Sequence, residues 1–255
     1  MKKLHASVRH LISEFSRARG IDGPLAVLIA VSALLLFAFV QLADEVMEGE
    51  KRAFDEAILL ALRTPGDVSQ PIGPLWLQEM VRDFTALGST GVLTIITLGV
   101  VGWLMFSGKR KSAGLVLVAI LCGVVFSSLL KLGFARPRPD LVPHAVAVFT
   151  NSFPSGHAMM SAVVYLTLGF LVARTQRAAA LKVYLLSLAL FLTLLVGVGR
   201  IYLGVHWPSD VVAGWAVGAC WALLCSLVMS RLQGAGKIEP ETPLFDTIDL
   251  RCAGP

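Results

Sequence analysis

Six long apolar runs punctuate the chain, at residues 25–43, 84–106, 113–130, 158–173, 183–199 and 211–230. None has an Asp, Glu, Lys, Arg or His in its interior. A helix crosses the hydrocarbon core of a bilayer in about 20 mostly apolar residues. The pattern therefore predicts an all-α integral membrane protein with six transmembrane helices. The fourth run is short, and starting its helix at Ser155 both lengthens it and sets His157 in the first turn. The first run follows a polar lead of more than twenty residues and ends in VQLADE, a poor cleavage site. It reads as a retained anchor rather than a signal peptide.

Residues 44–83, between the first two runs, do not form a span. Phe54, Ile58 and Leu62 recur every four residues, opposite Lys51, Asp55, Glu56 and Arg63. This is the pattern of an amphipathic helix lying on the membrane surface or packed over the spans. Pro65, Gly66, Pro71, Gly73 and Pro74 separate it from a second short helix that carries Trp76 and Met80. From Gly234 onward the chain is polar, contains Gly and Pro, and is expected to lack fixed structure. The organisation is an N-terminal segment (1–23), a six-span domain (24–231) and a tail (232–255).

Composition agrees with this reading. The 255 residues are 56% hydrophobic and 15% charged, with mean hydropathy +0.74, whereas soluble domains carry about a quarter charged residues. The net charge of +5 is not taken as a nucleic-acid signal, because membrane proteins concentrate Lys and Arg in cytoplasmic loops. One face holds Lys2, Lys3, Arg9, Arg17, Arg19, Lys109, Arg110, Lys111, Arg174, Arg177, Lys182, Arg231, Lys237 and Arg251. The other holds the smaller group, Lys51, Arg52, Arg63, Arg82, Lys131, Arg136, Arg138 and Arg200. On that rule both termini are cytoplasmic in a cell (inner) membrane, and the second face is extracytoplasmic. Cys122, Cys220 and Cys225 lie in apolar runs and Cys252 in the tail, with no C-x-x-C, so all four read as free, small apolar residues. The cysteines and the five histidines make no metal pattern, and neither metal nor cofactor is expected.

Alternation of the spans brings three clusters to the outer face: KLGFARPRPD (131–140), PSGH (154–157) and GRIYLGVHWPSD (199–210). Lys131, Arg138 and Arg200 are cations at the edge of a low-dielectric slab with few acids to pair them. Such a set suits a phosphate, for which arginine offers a planar fork. Ser155 and Gly156 stand where a helix begins, and its free amides favour an anion. The prolines flanking Arg138 keep it extended. His206 and Asp210 are four apart around Pro208, so the carboxylate can fix one ring nitrogen and leave the other as a nucleophile. His157, from another helix, is free to protonate a leaving oxygen.

Lys131-x6-Arg138-Pro139, Pro154-Ser155-Gly156-His157 and Arg200-x5-His206-x3-Asp210 together resemble the three-part signature of the type 2 phosphatidic acid phosphatase (PAP2) superfamily. The resemblance covers about residues 84 to 231. It implies a metal-independent membrane phosphatase acting on a lipid phosphate or pyrophosphate, such as undecaprenyl pyrophosphate, phosphatidic acid or phosphatidylglycerol phosphate. His206 would form a phosphohistidine with Asp210 as its partner, and His157 would protonate the leaving group and then activate water. Lys131, Arg138, Arg200, Ser155 and Gly156 would hold the phosphoryl oxygens. One position departs from the pattern: the third motif usually opens Ser-Arg, and this chain has Gly199-Arg200, which removes a serine thought to help bind phosphate.

Each residue alone has a plainer reading. A histidine at a helix start is often only a polar interface residue, and a lysine ending a span often only snorkels. The assignment rests on co-occurrence. His144 lacks a motif partner, and Arg136 reads as a peripheral anion or lipid-headgroup contact. Trp76, Trp103, Trp207, Trp215 and Trp221 read as interface anchors or packing. A transporter would place ionisable residues or broken helices at mid-membrane depth, whereas here the polar residues gather at one surface. A lipid phosphotransferase using the same site is the alternative.

Overall fold

A computed structural model describes residues 23–50, 52–134, 136–142 and 150–239. The N-terminal basic cluster, His144 and Cys252 lie outside the described residues. The chain runs through α1 (Gly23–Met47), α2 (Arg52–Ala61), β1 (Arg63–Thr64), β2 (Asp67–Pro71), α3 (Leu75–Ala86), α4 (Thr90–Phe106), α5 (Arg110–Phe134), α6 (Gly156–Arg174), α7 (Ala179–Tyr202) and α8 (Pro208–Gly234). Helices α1, α5, α6, α7 and α8 are each long and apolar enough to cross a membrane.

The second expected span is not one helix. Helix α4 has 17 residues, roughly 26 Å at the usual rise and short of a bilayer core. It bends by 47° from α3, and the two together are apolar and long enough to be a sixth, broken crossing. Ser89 caps α4 by accepting from the Val92 amide at 3.3 Å. Gly88 lets the corner press on α7, where a Cβ would fall 2.3 Å from Val196 Cγ1. Hydropathy runs unbroken through this corner, because a glycine and a serine are not polar enough to mark it.

Helix α6 is the hub, with 12 of its 19 residues buried, as expected of a helix apolar all round. Helix α8 lies against it through Gly214-x3-Gly218. A Cβ on Gly214 would come within 2.8 Å of the Ser155 carbonyl, and one on Gly218 within 2.5 Å of the Met159 carbonyl. Small residues four apart let two helix backbones close in lipid, where apolar burial gives no drive between helices. That approach sets the start of α8 beside the start of α6, and the Ser155 amide donates to the Asp210 carbonyl at 3.0 Å. Two of the sequence motifs thus meet at adjoining helix starts.

The segment between α1 and α3 differs from expectation in two ways. Pro65 and Gly66, read as breakers, form the turn of an antiparallel hairpin between β1 and β2, with Gly66 at φ +86°. Arg63 Nη2 donates to the Tyr202 carbonyl at 3.0 Å, and Tyr202 Oη donates to the Ile72 carbonyl at 2.6 Å, tying the hairpin to α7. Helix α2 forms as expected, but Asp55, placed on its polar face by the sequence pattern, is fully buried. At the opposite end of the bundle Glu239 accepts from the amides of Lys111 and Ser112 at 2.9 and 3.0 Å, capping α5. The polar chain beyond Gly234 is therefore docked as far as Glu239. Cys122, Cys220 and Cys225 are free thiols.

Candidate active site

Lys131 stands in the last turn of α5 and donates to Thr150 Oγ1 at 3.2 Å and to the Asn151 carbonyl at 3.0 Å. Asn151 returns a bond from Nδ2 to the Lys131 carbonyl at 3.0 Å. Beyond α5 the chain is non-helical through Arg136–Asp140, as Pro137 and Pro139 require. Arg138 then reaches inward. Its Nε donates to the Thr150 carbonyl at 2.8 Å and its Nη1 to the Val205 carbonyl at 2.6 Å. Arg200, in the last turn of α7, is only 5% exposed, and its Nε has no partner among the described residues. The ion pairs around the histidines, among the described residues, join Arg136 to Asp55 and Asp210, and His206 to Asp210. None of these falls on Lys131, Arg138 or Arg200.

His206 sits in the turn before α8 with 1% of its surface exposed. Its Nε2 lies 3.1 Å from Arg138 Nη1. A guanidinium has donors and no acceptor, so Nε2 must offer its lone pair and Nδ1 must carry the proton. Nδ1 faces Asp210 Oδ2 at 3.5 Å and Ser152 Oγ at 3.4 Å. Asp210 Oδ2 also accepts from the Ser152 hydroxyl and, at 3.0 Å, from the Trp207 amide. Burial drives the His206 pKa down to about 4, with Arg138 and Arg200 adding to the fall and Asp210 opposing it. At neutral pH the imidazole is uncharged, with Nε2 free to act as a nucleophile once Arg138 turns to another acceptor.

His157, in the first turn of α6, is half-buried. With Lys131, Arg138, Thr150, Gly156, Arg200 and His206 it lines one end of a cavity of about 490 Å³. The rest of that cavity is an apolar trough lined by Leu93, Leu98, Leu117, Leu121, Val124 and Val164, with Thr94, Thr97 and Ser128 among them. From Lys131 to Leu117 along α5 is roughly 20 Å. Leu98, Leu121 and Val124 are exposed on the outside of the bundle, so the trough opens sideways between α4 and α5. Gly156 belongs to the cationic end, where a Cβ would sit 3.1 Å from Lys131 Cε.

The structure brings seven of the eight sequence-predicted residues to the cavity or directly behind it, and places the eighth, Ser155, away from its lining. Ser155 is fully buried and does not line the cavity. Its amide is bonded to Asp210, and its hydroxyl accepts from the Ala158 amide at 3.5 Å as the α6 N-cap. Arg136, read as a peripheral headgroup contact, instead turns inward. Its Nη1 donates to Asp210 Oδ1 at 2.6 Å and to Ser209 Oγ at 2.8 Å, its Nη2 donates to Asp55 Oδ2 at 2.8 Å, and it lies 5.5 Å over the Trp207 ring. Ser152 and Asp55 were missed altogether. Ser152 had a local signal, two residues before Pro154; Asp55 had none.

Gly199 faces α3 rather than the cavity. A Cβ there would lie 2.3 Å from Thr85 Cγ2 and 3.2 Å from Val81 Cγ1. The missing serine therefore removes no cavity hydrogen bond in this chain; its glycine admits α3. Gly199→Ser is expected to destabilise by about 1–3 kcal/mol through overpacking, read as a lower Tm in detergent with no gain in turnover.

Membrane-crossing helices that close a cavity lined by cations and two histidines define a class of helical membrane enzyme handling phosphorylated lipids. Residues 112–233 match the PAP2 superfamily. The chain is 32% identical over 188 residues to phosphatidylglycerophosphatase B of Bacillus subtilis, covering 73% of this chain and 88% of that protein. It is 24% identical over 212 residues to an undecaprenyl-diphosphatase of Sulfolobus acidocaldarius, covering 81% and 93%. The crystal structure of a transmembrane PAP2-type phosphatidylglycerolphosphate phosphatase from Bacillus subtilis superposes with a TM-score of 0.72 at 27% identity, over 79% of this chain and 96% of that one. The chain belongs to the PAP2 superfamily.

Proposed function

We propose that this chain hydrolyses the phosphomonoester or diphosphate of a membrane lipid through a phosphohistidine at His206. The observation that carries the reading is the two-part cavity. One end holds three cations not ion-paired among the described residues and the Nε2 lone pair of His206, and the rest is an apolar trough open to the bilayer side. A phosphorylated lipid matches both parts, with its phosphate at the cations and its chain in the trough.

In the first step His206 Nε2 forms a bond to phosphorus as the bond to the leaving oxygen breaks, and His157 gives that oxygen its proton. Asp210 holds Nδ1–H and stabilises the charge that the ring acquires. In the second step water attacks phosphorus, His157 takes a proton from it, and the P–N bond breaks to return the imidazole and release phosphate. Lys131, Arg138, Arg200 and the Gly156 amide spread the oxyanion charge, the task a metal ion performs in other phosphoryl-transfer enzymes. Relatives that act on phosphatidylglycerolphosphate and on undecaprenyl diphosphate support these two lipids, with phosphatidic acid, as the first substrates to test.

Purified protein in detergent should release phosphate from at least one of these lipids, and His206→Ala should not. Activity should survive EDTA, because protein cations do the charge work, and vanadate should inhibit below the concentration at which phosphate does. Loss of activity in chelator with recovery in magnesium would contradict the mechanism.

The excess of basic residues at the end holding Arg110 supports a cytoplasmic position for that end and an extracytoplasmic active site. In a cysteine-free background, Asp140→Cys should react with a membrane-impermeant thiol reagent on intact cells and Arg110→Cys should not. The reverse labelling would put the site on the cytoplasmic face.

A further inference from the structure

Besides Asp210, one acid among the described residues is fully buried. Asp55 comes from α2, a helix outside the membrane spans, yet has no exposed surface. Its Oδ1 accepts from the Ser209 amide at 2.8 Å, and its Oδ2 accepts from the Ser209 hydroxyl and from Arg136 Nη2 at 2.8 Å. Ser209 spends its one proton on Asp55 and so accepts from Arg136 Nη1 at 2.8 Å. Arg136 Nη1 also donates to Asp210 Oδ1 at 2.6 Å. The result is a buried row of alternating charge, Asp55 to Arg136 to Asp210, that ends at His206 Nδ1. Leu59, one turn along α2 from Asp55, packs with Trp207 and Val142 and holds the helix on the turn that carries His206.

We propose that Asp55 is a positioning residue for His206, acting through Arg136 and Asp210. It supplies the negative charge that lets Arg136 brace the Asp210 carboxylate without cancelling it. The proposal rests on the reading of His206 as nucleophile. The row of three carries one net negative charge with Asp55 in place and none without it. A phosphorylated imidazole needs that charge, since Arg138 and Arg200 face the same ring and oppose a positive charge on it. Arg52, beside Asp55 on α2, is paired with Glu56 at the surface and leaves the row unbalanced in neither direction. Outer partners of metal-ligating histidines have effects of about 10- to 100-fold on activity, and the same range is expected for Asp55, two hydrogen bonds behind Asp210.

The test is a charge cycle read two ways: phosphate release, and the titration of His206 by NMR of ring-labelled protein in micelles. Asp55→Asn should lower kcat about 10- to 100-fold with little change in KM. Arg136→Gln, which leaves two net negative charges, should move the His206 titration up by roughly one to two units. The double variant Asp55→Asn/Arg136→Gln restores one net negative charge and should bring the titration back toward that of the unaltered protein. Asp55→Glu keeps the charge and should retain more activity than Asp55→Asn. A packing role alone predicts the reverse order, because Asn keeps the volume of the side chain and Glu does not.

If Asp55→Asn fails to fold, the titrations of Arg136→Gln and the double variant still decide the matter. Unchanged kcat in Asp55→Asn, or a double variant whose titration stays with Arg136→Gln, would overturn the proposal. A titration pattern as expected in protein that releases phosphate from no lipid would instead sink the functional reading and leave the charge coupling standing.

Discussion

His206→Ala is expected to abolish turnover for every substrate, however good its leaving group, whereas the loss in His157→Ala should depend on the leaving group. Without the Nε2 lone pair that Arg138 marks out at 3.1 Å, no covalent route exists. His157 lines the same cavity from the first turn of α6, and in the bond-breaking step it acts only on the oxygen that departs. On a lipid alkoxide, which must be protonated to leave, His157→Ala should cost about 10²–10⁴-fold, the range for general acid catalysis. On p-nitrophenyl phosphate, whose leaving group needs no proton, the variant should still show a burst of nitrophenol. Its steady turnover falls, because the water step also uses His157. Asp210→Asn should lie between, as the ring remains but its tautomer and charge are less well supported. An equal loss of burst in the two histidine variants would contradict the division of roles.

The second large effect falls on the cations, and here charge alone should not suffice. Arg200→Ala removes a buried guanidinium whose Nε has no partner among the described residues, and should lower kcat/KM about 10²–10³-fold, as loss of one oxyanion donor does elsewhere. Arg138→Lys should cost nearly as much although it keeps the charge. The Arg138 fork reaches the Thr150 carbonyl, the Val205 carbonyl and His206 Nε2 together. A single ammonium cannot hold that geometry and also present two donors to a phosphate. Recovery of most activity by Arg138→Lys would mean that the residue acts only as a point charge.

The residues around the histidines were legible because their spacing is local. Four positions separate His206 from Asp210, and PSGH marks a helix start whatever surrounds it. Convergence of the three motifs could be read from span alternation, and the structure adds the device that joins two of them, Gly214-x3-Gly218 closing α8 onto α6. The bracing of Asp210 was not legible. Asp55 lies 154 positions from Ser209 and 81 from Arg136, and helical periodicity assigns an acid between Phe54 and Ile58 to the solvent side. Arg136 was misjudged for the same reason, since a basic residue just ahead of a proline at a membrane surface has a simple exposed reading. Hydropathy hid the corner at Gly88, which is set by contact with Val196 on another helix. Ser155 shows a further ambiguity, because a serine at a helix start can present an amide to a ligand or cap its own helix, and here it caps.

The central claim is that phosphate passes through His206. Rapid mixing of the purified protein with a labelled phosphorylated lipid, an alkaline quench that preserves phosphohistidine, and peptide mass spectrometry would test it directly. The expected result is a phosphoryl group on the peptide carrying His206, formed before free phosphate appears, retained in base and lost in acid. It should accumulate further in His157→Ala on a substrate with a good leaving group, since the water step is then slow. Phosphate release at full rate with no adduct, or an adduct on any residue other than His206, would contradict the account.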